Sequence, residues 1–414
     1  MSHGPPEPST RTDLSRREAL RRGAAALATG TAVGTAGCLS SLPPLGGSLS
    51  YGRLDVPPAD EPAYRRWLPT PEAFDTRYDD GYAFAYAEPG PYVARAPRTF
   101  RARRAYGIRA LDYFGVGYEN FDRLVSCDLG TVLEGEFDRD TVTATLADSG
   151  YASEGSYRGF DLYGRRDTRR RAAVGDGVLV WTSERTDDHP DLELLVDTGA
   201  GDRRRYHEGS EAFAAVSEAA GASRQLVAGP YSMDPRDYSE FGIDAVRLGE
   251  DAAYQVLVMR FADGRTPSKG ALESAFRESH RLTEARDGTE VTVDGQLATV
   301  AARAPFASPV DPTPPEDPPQ VTWGADYDAD AEALTLRHEA GDPVPGSWLQ
   351  LDFADEPNPN EVEHVPVWEG VDRVEPGDTA TVDLADRPTA TAVSLLLSDG
   401  DSGIATLFRY ELPR

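Results

Sequence analysis

Apolar and polar residues alternate with a period of two over several stretches of this chain, and shift to a helical period between them. TVLEGEF (131–137) is the first clear strand, and DRDTVTATLADSG (138–150) the first short helix, with Asp138 or Asp140 as its cap and Gly150 as its stop. YRGFDLYGR (157–165) and AAVGDGVLVWTS (172–183) then alternate again, the second turning at Gly175-Asp176-Gly177. The same order returns further on. YQVLVMRFADG (254–264) predicts a strand, SKGALESAFRESHRL (268–282) a helix, and GTEVTVDGQLATVAAR (288–303) a hairpin turning at Asp294-Gly295. In that helix Leu272, Ala275, Phe276 and Leu282 fall near one face, as packing on a sheet requires. DLELLVDTGAG (191–201) and SEAFAAVSEAAG (210–221) add a helix or two between the halves. The pattern over 61–303 therefore predicts an α+β fold: repeated strand-helix-hairpin units in two half-repeats, helices on one face of antiparallel sheet.

APFASPVDPTPPEDPPQ (304–320) breaks this pattern as a Pro-rich linker, extended and semi-rigid by composition. Beyond it, ALTLRHEAGDPVPGSWLQLDF (333–353), VEPGDTATVDL (374–384) and ATAVSLLLSDGDSGIATLFRYEL (390–412) alternate between Gly-Asp and Pro-Gly turns. Residues 321–414 thus predict a small all-β sandwich domain.

The N-terminal stretch SRREALRRGAAALATGTAVGTAGCLSS (15–41) has neither pattern. Arg16 and Arg17 form a twin-arginine pair, and Gly23 to Gly37 is a charge-free run too short and too weakly apolar to span a bilayer. Small residues, Thr35-Ala36-Gly37, lead into Cys38. The arginine pair resembles a Tat export signal, and the run into Cys38 resembles the lipobox of secreted lipoproteins. The resemblance implies a signal peptide over 1–37, cleavage before Cys38, and membrane lipid held through its sulfur. Two acyl chains on one cysteine bind stably, at about 0.8 kcal/mol per buried CH2. Residues 38–60, opening with the Ser-, Pro- and Gly-rich SSLPPLGGSLS, then read as a tether, and the implied location is the cell membrane, lipid-anchored and facing outside.

Charge narrows the picture further. The chain carries a net charge of −28; from Cys38 onward 37 basic residues stand against 67 acidic ones, a net of −30. Lys269 is the sole lysine. Such acid-rich, lysine-poor composition resembles proteins of salt-loving archaea, so the whole resembles a haloarchaeal Tat-exported lipoprotein of uncharacterised family. Hydrophobics at 39% and aromatics at 9% argue against a disordered chain, and the charge argues against nucleic acid as a partner. Arginine runs at 101–104, 169–171 and 203–205 sit among acidic stretches and read as solvated loops or local ion pairs. With Cys38 lipidated only Cys127 remains, which excludes an intramolecular disulfide; its apolar surroundings predict a buried, inert thiol.

Two further resemblances concern architecture. FDRDTVTATLADSGYASEGSYRGFDLYG followed by VGDGVLVWTS is similar to uncharacterised prokaryotic surface-protein domains that carry no assigned catalytic residues. Leu334 to Asp342, Val374 to Val382 and Asp399 to Ser402 resemble the β domain of haloarchaeal pilin-like and secreted proteins, although a lipobox stands here where pilins carry their own signal.

Candidate chemistry is sparse. Gly400-Asp401-Ser402-Gly403 resembles a serine-protease nucleophile loop, but no histidine sits in a matching context and the motif suits a hairpin turn. Asp326, Asp328, Asp330 and Glu332 alternate as calcium loops do, yet Ala331 and Arg337 stand where an EF-hand-like loop needs glycine and glutamate. His189 and His364 have carboxylates nearby, and no two of the six histidines have zinc-motif spacing. The aromatics of YRRWLPTPEAF and YDDGYAFAYAEPGPY read as core, with a sugar- or peptide-binding rim as the other option. No catalytic residue, metal site or cofactor is predicted. The expected function is a membrane-tethered surface lipoprotein with a non-enzymatic binding or envelope-organising role, its partner an envelope protein or ligand. An extracytoplasmic, hydrolase-like enzyme with a site scattered in sequence is the alternative. A solute-binding receptor is disfavoured, because two sizeable α/β lobes are missing.

Overall fold

The structure is a computed structural model that describes residues 54–75, 81–89, 96–97, 100, 111–183, 190–230, 239–278, 288–306, 318–355, 364–398 and 404–413. Twelve strands precede the Pro-rich stretch: β1 Phe84–Ala87, β2 Phe121–Cys127, β3 Gly130–Gly135, β4 Ala152–Tyr157, β5 Phe160–Gly164, β6 Arg171–Gly175, β7 Val178–Thr182, β8 Gln225–Gly229, β9 Ser239–Leu248, β10 Ala252–Phe261, β11 Thr289–Asp294 and β12 Leu297–Pro305. Among the described residues the helices are five and short: α1 Arg139–Asp148, α2 Leu192–Ala200, α3 Tyr206–Gly209, α4 Glu211–Ala220 and α5 Lys269–Glu278.

The expected α+β class, with helices on one face of repeated units, is overturned. All twelve strands join one antiparallel sheet in the order β11-β12-β10-β9-β8-β1-β2-β3-β7-β6-β5-β4, so the fold is mostly β. The individual strands and helices of the two half-repeats are present, but they do not close into separate units. FAYA of β1 and QLVAG of β8 pair with each other and with the hairpins on either side, fusing the halves. Over three strands outward from this β8–β1 centre the pairing matches, a hairpin and then a later strand (β12 or β7) folded back beside the hairpin's second strand; one strand then completes one side and three the other. What repeats is strand pairing.

The helices also lie on both faces. Even-numbered side chains of β10, such as Val256 and Val258, meet Phe213 and Val216 of α4, while Leu257 and Met259 meet Leu272 and Phe276 of α5. On β3 the same split sends Val132 toward α2 and Leu133 toward Val142 and Leu146 of α1. Strands buried on both faces lose the polar half of their alternation, as AAYQVLVMRF does in β10. Local stop signals act as expected. The Asp138 side chain accepts the Asp140 N–H at the start of α1, and Gly150 (φ 79°) follows its end.

The N-terminal aromatics belong to the core. Tyr64, Trp67, Tyr82, Phe84 and Tyr86 are buried, and Tyr82 stacks on Tyr206 at 4.7 Å. Part of the expected tether packs on the body: Val56 is buried and Asp60 bridges Ala222. Trp67 lies on α2 so closely that a Cβ at Gly199 would fall within its ring. Gly199→Ala is therefore expected to destabilise by about 1 kcal/mol, overpacking of about 1–3 kcal/mol being partly offset by the better helix propensity of alanine, worth about 1 kcal/mol. Urea unfolding of Gly199→Ala, Trp67→Leu and the double variant checks this. The double should lose clearly less than the sum of the singles, and strict additivity would refute the contact.

Nine strands follow: β13 Val321–Asp328, β14 Ala333–Gly341, β15 Val344–Pro345, β16 Leu349–Asp355, β17 Val365–Pro366, β18 Arg373–Val374, β19 Thr379–Asp383, β20 Ala390–Ser398 and β21 Ile404–Glu411. Sheets β13-β14-β19 and β17-β16-β20-β21 share one core of Trp323, Leu334 and Leu336 with Leu351, Phe353 and Leu395. Of the Pro-rich stretch, Ala304 and Pro305 complete β12, and Gln320 exchanges bonds with Asp342. Residues 307–317 lie outside the described residues.

Candidate functional site

Among the described residues a cluster of buried charge lies where the large sheet meets β13, β14 and β21. The turn between β5 and β6, RRDTRR (165–170), closes with the Arg165 N–H donating to Arg170 O at 3.1 Å, which sends both arginines into the body. The Arg165 side chain, 1% exposed, donates to both Asp167 carboxylate oxygens (2.9 and 2.7 Å), to Glu339 (2.7 Å) and to Ser149 O (2.7 Å). Its guanidinium lies over the Tyr151 ring. Asp167 in turn accepts the Ala325 N–H at 3.1 Å, and Glu339 accepts from Arg337 at 2.7 Å. A Cβ at Gly150 or Gly324 would collide with the Glu339 carboxylate, so both glycines make the room it occupies.

A second group continues the seam. Arg170 pairs with Asp112, both nearly unexposed, and donates across the seam to Leu407 O at 2.7 Å. Asp112 also accepts the Tyr151 hydroxyl at 2.6 Å, and Tyr151 accepts the Trp181 indole N–H at 3.0 Å. The Arg170 guanidinium lies over the rings of Trp181 and Phe408, one from each side. Tyr113 and Thr322 close the edge, Thr322 Oγ1 accepting the Tyr113 N–H at 2.9 Å.

The electrostatics are those of a locked joint. Burial alone would pull the Arg165 guanidinium down, but Asp167 and Glu339 outweigh it and push its pKa up. Burial likewise raises the Asp167 carboxyl, yet Arg165 and the Ala325 N–H hold it below the usual carboxylate range. Burial pushes the Tyr151 hydroxyl well up, helped by Asp112. A general acid or base works best with a pKa near the working pH. Arg165, Asp167 and Tyr151 are each moved away from it and held by a partner, an arrangement suited to positioning two sheets.

The remaining sequence candidates fall elsewhere. Arg16, Arg17, Cys38, His189 and Gly400 to Gly403 lie outside the described residues, although Ser398 and Ile404 on either side of the last motif are paired. Asp328 accepts the N–H groups of Asp330 and Ala331 at 3.0 Å each, an ordinary Asx turn, and His364 is exposed. Among the described residues no three His, Cys, Asp or Glu side chains are placed to hold a metal ion. Cys127 is half-buried at the end of β2. In the later arginine runs Arg171 pairs with Glu154 and Glu193, and Arg203 with Asp197. The sequence reading passed over Asp112, Arg165, Asp167 and Glu339. The available signal was RRDTRRR (165–171) itself, seven charged or polar residues directly ahead of AAVGDGVLVW.

Comparison with known proteins adds distant likeness only. No protein-family model matches the chain, and no curated protein matches it. Two solved structures of the spirochaete protein TP0453 are similar at 8% identity: crystal form I over 59% of this chain and 93% of that one, with a TM-score of 0.37, and crystal form III over 53% and 88%, with a TM-score of 0.35.

Proposed function

We propose that this protein is a membrane-tethered surface lipoprotein whose body displays a binding or envelope-organising surface and performs no chemistry. The observation that carries this reading is the seam. The most concentrated buried charge in the described residues is spent on joining two sheets, with each carboxylate and guanidinium held by a partner. A stiff body at the end of a lipidated tether suits presentation to a partner in the envelope. The twin-arginine pair Arg16-Arg17 supports the reading as well, because the Tat route carries folded proteins and the seam must form in the folded chain.

Cell fractionation of Cys38→Ser tests the anchor. The variant is expected to move from the membrane pellet to the soluble fraction almost completely, while the wild type stays in the pellet. A variant that remains membrane-bound would end the lipoprotein reading. Crosslinking in intact cells, with Cys38→Ser as control, tests the role. An anchor-dependent envelope partner supports it, and turnover of a small-molecule ester, amide or glycoside panel by the purified body would overturn it in favour of an enzyme.

A further inference from the structure

β14 points Leu334 and Leu336 inward at every second position and places His338 at the next. The imidazole is fully buried and stacks on Trp323, with ring centroids 4.8 Å apart and planes at 26°; Trp368 packs against the same indole at 5.2 Å. Nε2 lies 3.1 Å from Ala340 O, while Nδ1 makes no hydrogen bond. A neutral ring with its proton on Nε2 satisfies this geometry. A second proton, on Nδ1, would put a full charge into a closed core where that nitrogen has no hydrogen bond in place.

The charged groups that face the ring are few. Asp342, beyond the end of β14, already accepts the Gln320 N–H at 3.0 Å, and Asp378, in the turn before β19, accepts the Glu375 N–H at 2.8 Å. β13, β16 and β20 contribute apolar side chains to the same core. Burial lowers the His338 pKa, and the Ala340 and Val374 carbonyls with the two carboxylates pull upward without overcoming it. The residue is also tied to its surroundings through its backbone. His338 N–H donates to Asp378 O at 3.0 Å, and His338 O accepts the Gly377 N–H at 2.7 Å. The next residue along, Glu339, holds Arg165 across the seam.

We propose that His338 is an acid-sensitive latch on the seam: the ring can take a proton only when β14 opens, and opening β14 withdraws Glu339 from Arg165. A histidine kept neutral in the fold binds fewer protons there than in the opened chain. The stability it supports is therefore complete above its ordinary pKa of about 6.5 and falls as pH drops toward the lowered folded value. Within that window the opened fraction rises about tenfold per pH unit, one proton being taken up on opening.

Amide hydrogen exchange on the full chain, from about pH 7.5 to about pH 5 and corrected for the intrinsic pH dependence of exchange, tests the proposal. Peptides covering 333–341 and 165–171 are expected to open together, about tenfold more per pH unit below about 6.5. His338→Gln and His338→Phe, which cannot titrate, are expected to show no such rise, and two variants of different size guard against one that folds poorly. Wild type and His338→Gln with the same pH profile would overturn the latch. Opening of 333–341 while 165–171 stays protected would overturn its link to the seam.

Discussion

Asp112→Ala is expected to cost about 3–5 kcal/mol, the effect of leaving one member of a buried ion pair without the other. Arg170 is 3% exposed and Asp112 1%, so water cannot replace the lost carboxylate without opening the seam. The loss also strips Tyr151 of the acceptor that orients its hydroxyl toward the Trp181 indole. Arg170 keeps Leu407 O and the two rings it lies over, none of which carries the negative charge that Asp112 supplies. Urea unfolding followed by tryptophan emission measures the effect. The decisive comparison is Asp112→Ala with Arg170→Met added. Replacing a whole buried pair by apolar groups is close to neutral in other proteins, so the double variant should recover at least about 2 kcal/mol of the loss. A single variant within about 1 kcal/mol of the wild type would mean that the pair is hydrated and that the seam is not locked by charge.

Why these residues escaped the sequence is a matter of range. Elements set by local chemistry were legible: Asp138 and Gly150 bound α1, Asp294-Gly295 closes the β11–β12 hairpin, and Leu272, Ala275 and Phe276 are the buried face of α5. Each of these signals acts within about one turn or one hairpin. The sheet order depends on β1 and β8, which are four and five residues long and pair with partners far along the chain. Nothing in FAYA or QLVAG states which strand lies beside it. The class was misjudged for that reason: the cap and stop of α1 and the apolar face of α5 suggested units built around helices, while short central strands decided the architecture. The seam is harder still. Arg165 and Glu339 are 174 residues apart, and an arginine-rich turn in an acidic chain looks solvated until its partner is placed against it. His338 was legible in part, since LTLRHEA puts it in register with Leu334 and Leu336.

Arg165→Met is expected to lose about 3 kcal/mol at neutral pH, the lower end of the range for a broken buried pair. The reason for the lower end is specific: Glu339 keeps Arg337, and Asp167 keeps the Ala325 N–H. The sign of its pH dependence is the more telling result. In the wild type Arg165 holds Asp167 below its usual pKa, so that carboxylate contributes stability above about pH 3.9 and loses it only as pH falls through the lowered folded value. Without the guanidinium, burial is left as the dominant influence and raises the Asp167 carboxyl above its unfolded value. A carboxyl raised in the folded state destabilises when ionised and ceases to do so once protonated. The deficit of Arg165→Met relative to the wild type should therefore shrink as pH is lowered from about 7 toward about 5. This is opposite in direction to the acid loss expected from His338, so the two residues cannot be confused in one titration series. A deficit that stays constant over that interval would show that Asp167 and Glu339 reach solvent once Arg165 is gone. The seam would then be held by packing around Tyr151 and Trp181, with the charges filling space between the sheets.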